Sequence, residues 1–297
     1  MIIDCHAHLD PRALTPEALI RKMDRHGVGR VALISRMTET IEPQKSFVLL
    51  SMQRILMNSR LFNPVAETVS RSFYDETGNL RSLWRPFTKN WQGYVKSMMP
   101  DNESVAAAVR RFPDRFWGWI CLNPKEQPNA LDDLEKWRSV PGMIGVKAHP
   151  YWHHFSVRSL DAIARRSEEL GLPMLIHLGF GSQGEYRWLI ETFPRLNIIF
   201  AHAGIPHYQA LWPLVRSSRN AYVDLSSPHL SESFVRGVVR ILGPEKCLYG
   251  TDSPYGFEEP DGTYDYGAVK GWMDRLPVSD PARASILGGN FLRLIRV

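Results

Sequence analysis

Short apolar runs of strand length alternate with helical segments along most of this chain. Eight runs rich in aliphatic, aromatic and β-branched residues can be distinguished. They are Ile2 to His8, Val31 to Ser35, Phe116 to Leu122, Ile144 to His149, Pro173 to Leu178, Leu196 to His202, Ala221 to Leu225 and Cys247 to Asp252. Because the runs are nearly continuous in apolar residues, they are typical of parallel strands that are covered on both faces.

Helical segments separate these runs and carry recognisable start and stop signals. Thr15 can cap a helix that begins at Pro16, and Gly27 and Gly171 follow helix ends. Further helices are expected at about 101–112, 129–138, 159–170, 185–192, 232–242, 266–276 and 281–294. Eight right-handed βα units close most naturally into a (β/α)8 TIM barrel. A doubly wound open sheet is the alternative, but it would gather polar residues at one switch point, whereas here they recur at many strand ends.

Length and composition agree with one globular barrel domain over residues 1–297. The chain is 44% hydrophobic and 23% charged, which is ordinary for a globular protein. Its formal net charge of +5 is modest, and no Lys/Arg run stands out, so we expect no nucleic-acid partner. The positive charge is compatible with a small anionic substrate, although it does not require one.

The three cysteines, Cys5, Cys121 and Cys247, each lie in an apolar, strand-like run. An odd number in such positions predicts buried free thiols in a reducing compartment. The N-terminus lacks the basic-then-apolar pattern of a signal peptide, and no apolar run is long enough to span a membrane. We therefore expect a cytoplasmic protein without a membrane partner.

Residues 37–100 interrupt the regular alternation after the second strand. This stretch contains short helical pieces separated by turn-like sequences such as Phe62-Asn63-Pro64. Irregular stretches of this length inside a compact domain are usually functional. We interpret residues 37–100 as a mostly helical insertion that covers the active-site end or forms the contact of a homodimer or higher homo-oligomer; a plain surface excursion is the alternative.

The first strand ends in two histidines, His6 and His8, separated by one residue. Residues i and i+2 of a strand point to the same side, so both imidazoles would face one place. Neutral imidazole is a common metal ligand, but this pair alone fits equally well with two exposed histidines near a terminus. The assignment depends on what the other strands contribute.

Polar residues recur at the predicted carboxyl ends of the strands, where barrel enzymes place their active sites. Each one alone has a structural explanation as a hydrogen-bonded histidine or a turn aspartate. Their convergence on one face favours a metal site. They are His6, His8, Lys147, His149, His177, His202, Asp224 and Asp252.

Five segments together resemble the amidohydrolase superfamily. They are residues 4–8 (DCHAH), 145–150 (GVKAHP), 176–177 (IH), 200–204 (FAHAG) and 249–254 (YGTDSP). The amidohydrolase-2 branch is the most similar; it includes aminocarboxymuconate semialdehyde decarboxylase, γ-resorcylate decarboxylase and lactone or ester hydrolases. The segment 288–291 (GGNF) resembles the closing segment of that branch. The resemblance covers nearly the whole chain except residues 37–100.

The resemblance implies roles for five of these residues. His6, His8, His177 and Asp252 match the ligands of one divalent metal ion, zinc in most members and manganese as the alternative. His202 matches the histidine that takes a proton from the water that the ion activates, and Asp252 can also move a proton. Zinc lowers the pKa of a bound water from about 15.7 to about 7, so this ligand set suits hydrolysis near neutral pH.

Lys147 has two interpretations under the same resemblance. In binuclear members a carboxylated lysine bridges two ions, and His177 and His202 would then hold the second one. In the amidohydrolase-2 branch the site is usually mononuclear, and Lys147 is then a cation beside the substrate or a partner of a strand-end carboxylate. Asp4, two residues before His6, would lie on the same face but deeper, where it could accept a hydrogen bond from a ligand histidine. The alternative is a polar residue that faces the helices or the barrel floor.

Two reactions suit the predicted metal site. The superfamily favours hydrolysis of an amide, ester or lactone bond in a small substrate, which is an argument by analogy. The alternative is non-oxidative decarboxylation of a carboxylated aromatic or muconate-like acid, which needs a cation to hold the acid group. The substrate-binding candidates are Lys147, His149, Arg36 and Trp152. A non-catalytic metal-binding protein is a third alternative, and it would need a closed coordination sphere.

Overall fold

Eight parallel strands form the centre of the protein in a computed structural model, which describes residues 1–36, 59, 68 and 99–295. Each strand pairs with its sequence neighbours, in the order β1 to β8. The strands are β1 (Ile2–His8), β2 (Val28–Ile34), β3 (Phe116–Cys121), β4 (Met143–Ala148), β5 (Met174–Ile176), β6 (Ile198–Phe200), β7 (Ala221–Asp224) and β8 (Cys247–Leu248).

The barrel closes between its first and last strands. Cys5 N donates to Tyr249 O at 3.0 Å, and His8 N donates to Ser253 O at 2.6 Å. Ala7 and Ser253 also form a parallel bridge. These bonds join the residues that follow β8 to β1, so the predicted (β/α)8 TIM barrel is confirmed and the doubly wound open sheet is wrong.

Helices follow the strands and pack around them. Thr15 caps the first helix by accepting from Ala18 N at 3.3 Å, and Gly171 ends another with φ 66°, as their residue types predict. The α-helices are Pro16–Arg25, Asn102–Arg111, Ala130–Arg138, Pro150–His153, Asp161–Leu170, Tyr186–Thr192, Tyr208–Ser217, Glu232–Leu242, Gly267–Asp274, Asp280–Ala284 and Asn290–Leu294. Single 3-10 turns (Val157–Leu160, Gly181–Gly184, His202–Gly204, Pro244–Lys246) and a π-turn (Ser285–Gly289) complete the described helical elements.

Two apolar layers hold the barrel together. Val31 and Leu33 of β2 belong to the larger layer, which also contains buried residues of the surrounding helices. Ala32 and Ile34, on the opposite face of the same strand, belong to the smaller layer inside the barrel. Phe291 also lies in this inner layer, with its ring 5.9 Å from that of Trp119. Polar residues at the other end of the barrel are therefore built on a closed, packed floor.

Several strands are shorter than the sequence pattern predicts. Three strands end before the polar residue at or near the end of the predicted run: β5 ends at Ile176, β6 at Phe200 and β8 at Leu248. His177, His202 and Asp252 therefore lie in the connections that follow these strands. Residues 150–153, between the predicted fourth strand and the next predicted helix, form a one-turn helix, and His149 Nδ1 caps it by accepting from Trp152 N at 3.1 Å.

A bulge in β1 changes which of its side chains share a face. Between Asp4 and Ala7 the strand advances three residues while β2 advances two, from Val31 to Leu33. The extra residue breaks the period-2 alternation, so Asp4 points with Val31 toward the helix layer rather than with His6. The expectation that Asp4 lies on the histidine face is therefore wrong, and Asp4 has the helix-facing position of the alternative, where Tyr266 donates to it.

Three further expectations can be compared with the described residues. Cys5, Cys121 and Cys247 are buried free thiols, as expected. No helix among residues 1–36 and 99–295 is long and apolar enough to cross a bilayer. Nearly all of the proposed insertion at 37–100 lies outside the described residues.

Candidate metal centre

His6, His8 and Asp252 meet where the first and last strands end. Asp252 is placed by two backbone bonds, since Thr251 N and Asp252 N both donate to His6 O, at 3.2 and 2.7 Å. Asp252 adopts φ 63°, a left-handed conformation that non-glycine residues rarely occupy. Such backbone strain is typical of functional sites, and here it turns the carboxylate toward the two histidines.

The spacing of these side chains fits one metal ion. Asp252 Oδ1 lies 3.4 Å from His6 Nε2 and 3.4 Å from His8 Nε2. Two ligand atoms of a tetrahedral zinc ion, each about 2.0–2.1 Å from it, lie about 3.4 Å apart. Ligand atoms of His6, His202 and Asp252 also lie within 4.8 Å of one another. Among the described residues, this last group contains His202, which the resemblance assigns as the base, and neither His8 nor His177, whereas the Asp252 contacts bring in His8. The residue types and the Asp252 spacings fit a zinc ion, and the placement of His177 as a ligand stays a prediction.

Asp224 orients His6 from behind. Its Oδ2 lies 2.8 Å from His6 Nδ1, and both side chains are fully buried. A carboxylate accepts, so His6 Nδ1 carries the proton and Nε2 keeps the lone pair that faces Asp252. The sequence predicts Asp224 at the end of a strand but gives it no role in the site. The structure shows that it makes the carboxylate–histidine contact typical of metal centres.

His177 and His202 lie side by side across from His6. His202 Nε2 is 3.0 Å from His177 Nδ1, and the His202 ring lies 5.0 Å from that of His6, centroid to centroid. His202 and Ala203 both adopt left-handed conformations, with φ 55° and 56°. Trp212 Nε1 donates to Ala203 O at 2.8 Å and helps hold this turn.

Burial prepares these groups to bind a cation. Burial, with the nearby charge of Lys147, lowers the pKa of His6 to about 3, and burial also lowers the pKa of His8 and His177. Burial raises the pKa of Asp252, but attraction to His202 and His6 and a hydrogen bond from His8 outweigh it, so the carboxyl has a pKa below its ordinary value. At neutral pH the cluster therefore offers neutral imidazoles and an ionised carboxylate, the forms that metals bind.

Lys147 places a basic side chain directly beside the cluster. Its Nζ lies 3.4 Å from His6 Nε2, and the side chain is fully buried. Burial lowers its pKa to about 8, with partial compensation by Asp224 and Asp252. Lys147 thus lies beside the ligand atoms, where either predicted role, as a cation or as a carboxylated ligand, would operate.

The other three substrate-binding candidates, His149, Trp152 and Arg36, do not lie together in the structure. His149 is buried between two rings, 3.9 Å from the centroid of His177 and 4.2 Å from that of Trp152. Trp152 is half-buried and lies 6.2 Å from His8. Arg36 follows β2, and its charge adds to the Arg12 hydrogen bonds that lower the pKa of Asp10.

Two contributors could not be singled out from the sequence. Ser226, two residues after β7, places its Oγ 2.9 Å from His202 Nδ1. Tyr255 packs its ring 5.2 Å from that of His8. Neither has a sequence signal, because serine after a strand and tyrosine in a loop are common, and only the folded chain brings them to the histidines.

A barrel with neutral histidines and a carboxylate grouped at the carboxyl ends of its strands has the arrangement of metal-dependent TIM-barrel enzymes. The family model Amidohydro_2, described as amidohydrolase, matches residues 91–297. The chain therefore belongs to the amidohydrolase family, as the sequence motifs indicate, and this superfamily is generally metal-dependent.

Solved structures of similar fold include three named enzymes. A 2,6-dihydroxybenzoate decarboxylase from Rhizobium has a TM-score of 0.60 and 14% identity over 99% of this chain and 98% of that chain. A 4-oxalomesaconate hydratase from Rhodopseudomonas palustris has a TM-score of 0.59 and 16% identity over 99% and 95%. A probable 2-pyrone-4,6-dicarboxylic acid hydrolase from Acinetobacter baumannii has a TM-score of 0.61 and 14% identity over 99% and 98%.

A search of the curated proteins gave no match. At these identities the structural likeness supports the shared fold, and the three neighbours are named for three different reactions. The reaction of this chain must therefore be argued from its own site.

Proposed function

We propose that this protein is a metal-dependent hydrolase that cleaves an amide, ester or lactone bond of a small anionic substrate. The observation that carries the proposal is the placement of Asp252 Oδ1 at 3.4 Å from both His6 Nε2 and His8 Nε2, with His202 beside them. His6, His8, His177 and Asp252 would hold one divalent ion, which we propose to be zinc, with manganese as the alternative.

The side chains around the ion divide the work. When bound, the ion supplies Lewis-acid chemistry, polarising a carbonyl and lowering the pKa of a water. His202 accepts the proton of the attacking water, because its ring lies against the ligand cluster and is held by Ser226. The proton that His202 takes up is then delivered to the leaving group, either by His202 itself or through Asp252, whose carboxylate lies in the same group of ligand atoms.

The surrounding residues suit an anionic substrate. Lys147 places a basic nitrogen beside His6, and Arg36 adds positive charge near Asp10. Trp152 and His149 form a flat stack next to His177, against which a planar group can lie. The same stack favours the second candidate function, non-oxidative decarboxylation of a carboxylated aromatic or muconate-like acid, because that substrate is planar and acidic.

A substrate panel separates the two reactions. The purified zinc protein should hydrolyse at least one of dihydrocoumarin, 4-nitrophenyl acetate and 2-pyrone-4,6-dicarboxylate, and should release no CO2 from 2,6-dihydroxybenzoate. His202→Asn should keep its metal but lose activity by about 100-fold or more, because a positioned base contributes that much. His26→Asn, a histidine outside the cluster, is the matched control and should retain activity.

Two outcomes would overturn the assignment. CO2 release without hydrolysis would replace it with the decarboxylase, and full activity of His202→Asn would remove His202 as the base. Metal binding with no turnover of any panel member would favour a non-catalytic metal-binding protein.

The remaining proposals concern the whole chain. We propose a single barrel domain over residues 1–297 and a cytoplasmic homodimer or higher homo-oligomer in which residues 37–100 cover the active-site end or form the contact. Light scattering coupled to size exclusion would give the mass of the native chain, and a monomer would remove the oligomer proposal.

A further inference from the structure

Ser226 links the two histidines that have different roles in the proposed site. Its Oγ lies 2.9 Å from His202 Nδ1, 3.2 Å from His6 Nδ1 and 2.6 Å from Asp224 Oδ1. Ser226 is fully buried, so its hydroxyl has no solvent to bond with. The hydroxyl has one proton and three close neighbours. The neighbour that accepts this proton determines which ring nitrogens can donate to the hydroxyl oxygen.

Asp224 determines where that proton goes. Its Oδ1 accepts from His202 N at 2.9 Å, from Ser226 N at 3.0 Å and from the Ser226 hydroxyl. Two of these donors are backbone N–H groups, and His6 Nδ1 lies 2.8 Å from the other oxygen, Oδ2, so the carboxylate accepts hydrogen bonds on both oxygens. The Ser226 hydroxyl therefore donates to Asp224 and presents only lone pairs to the histidine rings.

His202 must then carry its proton on Nδ1. That nitrogen faces the lone pairs of Ser226 Oγ at 2.9 Å and the carbonyl oxygen of Ser226 at 3.2 Å. Two acceptors require a donor between them, so Nδ1 carries a proton, and the lone pair of the imidazole lies on Nε2. A base needs that lone pair, which lies on the nitrogen that faces His177.

The same logic extends to His177. His202 Nε2 accepts at 3.0 Å, so His177 Nδ1 must donate to it. His177 Nε2 is then left with a lone pair that can serve a metal ion. One buried carboxylate thus sets the direction of every hydrogen bond from Asp224 through Ser226 and His202 to His177.

We propose that Ser226 is a positioning residue that fixes His202 in the tautomer with Nδ1 protonated and Nε2 unprotonated. The inference rests on the proposed function, because an unprotonated Nε2 matters only if His202 acts as a base. It assigns to the connection after the seventh strand a role that is distinct from metal binding. A serine that only filled space would leave the His202 tautomer unchanged on removal.

The test reads the tautomer directly by NMR of protein labelled with ¹⁵N in histidine, in the metal-free state. The native protein should show His202 Nδ1 protonated and Nε2 unprotonated, assigned by comparison with His202→Asn. Ser226→Ala removes the nearer acceptor at 2.9 Å and leaves the carbonyl oxygen at 3.2 Å, so it should increase the Nε2-protonated fraction of His202 and reduce turnover of the panel substrate by about tenfold or more. Ser226→Thr keeps a hydroxyl and should restore both the tautomer and turnover to within about threefold.

Ser227→Ala is the matched control, since Ser227 is also buried and its Oγ accepts instead from His229 N at 3.1 Å. It should leave the His202 tautomer unchanged. An Nε2-protonated His202 in the native protein, or an unchanged tautomer in Ser226→Ala, would overturn the proposal. If the tautomers behave as expected but no panel member is hydrolysed, the positioning role stands and the proposed hydrolase function fails.

Discussion

His6 donates from Nδ1 to Asp224 Oδ2 across 2.8 Å, and both side chains are fully buried. This bond joins the first strand to the seventh and fixes which nitrogen of His6 is left for a metal. Carboxylate partners of this kind orient a ligand ring and raise its basicity. Asp224 therefore affects metal binding through His6, although it would not contact the ion itself.

Asp224→Asn should weaken zinc binding by about 10- to 100-fold, the usual cost of losing such a partner. An amide has no charge to stabilise the protonated Nδ1, and its NH2 group can face the ring instead. Competition between metal-free protein and a chromophoric chelator would measure the dissociation constant. Asp274→Asn removes a carboxylate that pairs with Lys270 on a helix and should bind zinc like the native protein.

Equal affinity in Asp224→Asn and the native protein would show that the other contacts of His6 suffice to orient it. Loss of binding in Asp274→Asn as well would indicate a general loss of fold, which the unfolding curve of each variant would reveal.

Removing the metal should lower the unfolding temperature of the native protein. A ligand at about 1,000 times its dissociation constant adds about 4 kcal/mol to the free energy of unfolding when only the folded state binds it. Thermal unfolding with and without a chelator would measure the difference, and Asp252→Ala should abolish it. We expect about one zinc per chain; two, with the mass of one added CO2 on Lys147, would support the binuclear alternative.

Sequence reasoning was sufficient for the barrel because the evidence for it is local and repeated. Each apolar run predicts a buried parallel strand. Closure of the barrel follows from the presence of eight βα units with right-handed connections. The polar residues at the ends of the runs also fall where expected. In the structure the strands end one to four residues before His177, His202 and Asp252. The end of the barrel that carries these residues is therefore predicted correctly, but the last residue of each strand is not.

The position of Asp4 could not be obtained in this way. Strict alternation places Asp4 with His6, but the bulge between Asp4 and Ala7 reverses its side. A bulge depends on the register with the neighbouring strand, which no single segment contains. The contacts of Ser226 and Asp224 with His202 have the same character, because they join residues of different strands.

The stack of His149 between Trp152 and His177 gives a further prediction. His149→Ala should reduce the free energy of unfolding of the metal-free protein by about 2–4 kcal/mol, because it leaves a cavity between two rings. His149→Phe keeps the stack but loses the Nδ1 acceptor for Trp152 N, and it should cost only about 1 kcal/mol. Urea unfolding of both variants would measure the difference, and equal losses would show that the cap matters more than the stack.

Asp4 should make stability depend on pH between about 4 and 6. Its carboxyl is fully buried and accepts from Thr251 and Tyr266 at 2.6 and 2.7 Å, yet burial outweighs these bonds and raises its pKa from 3.8 to about 6. In that window the folded chain keeps a proton that the unfolded chain has released, so the free energy of unfolding falls as pH rises. The slope from one such group is at most about 1.4 kcal/mol per pH unit.

Asp4→Asn removes the titrating group and should flatten this part of the curve relative to the native protein. Urea unfolding of the metal-free proteins at several pH values would measure both slopes. Asp114→Asn, at a carboxylate whose side chain is 96% exposed, should keep the native slope. If Asp4→Asn also keeps the native slope, the pKa of the Asp4 carboxyl in the folded protein is close to its pKa in the unfolded chain. The hydrogen bonds from Thr251 and Tyr266 must then compensate fully for the effect of burial.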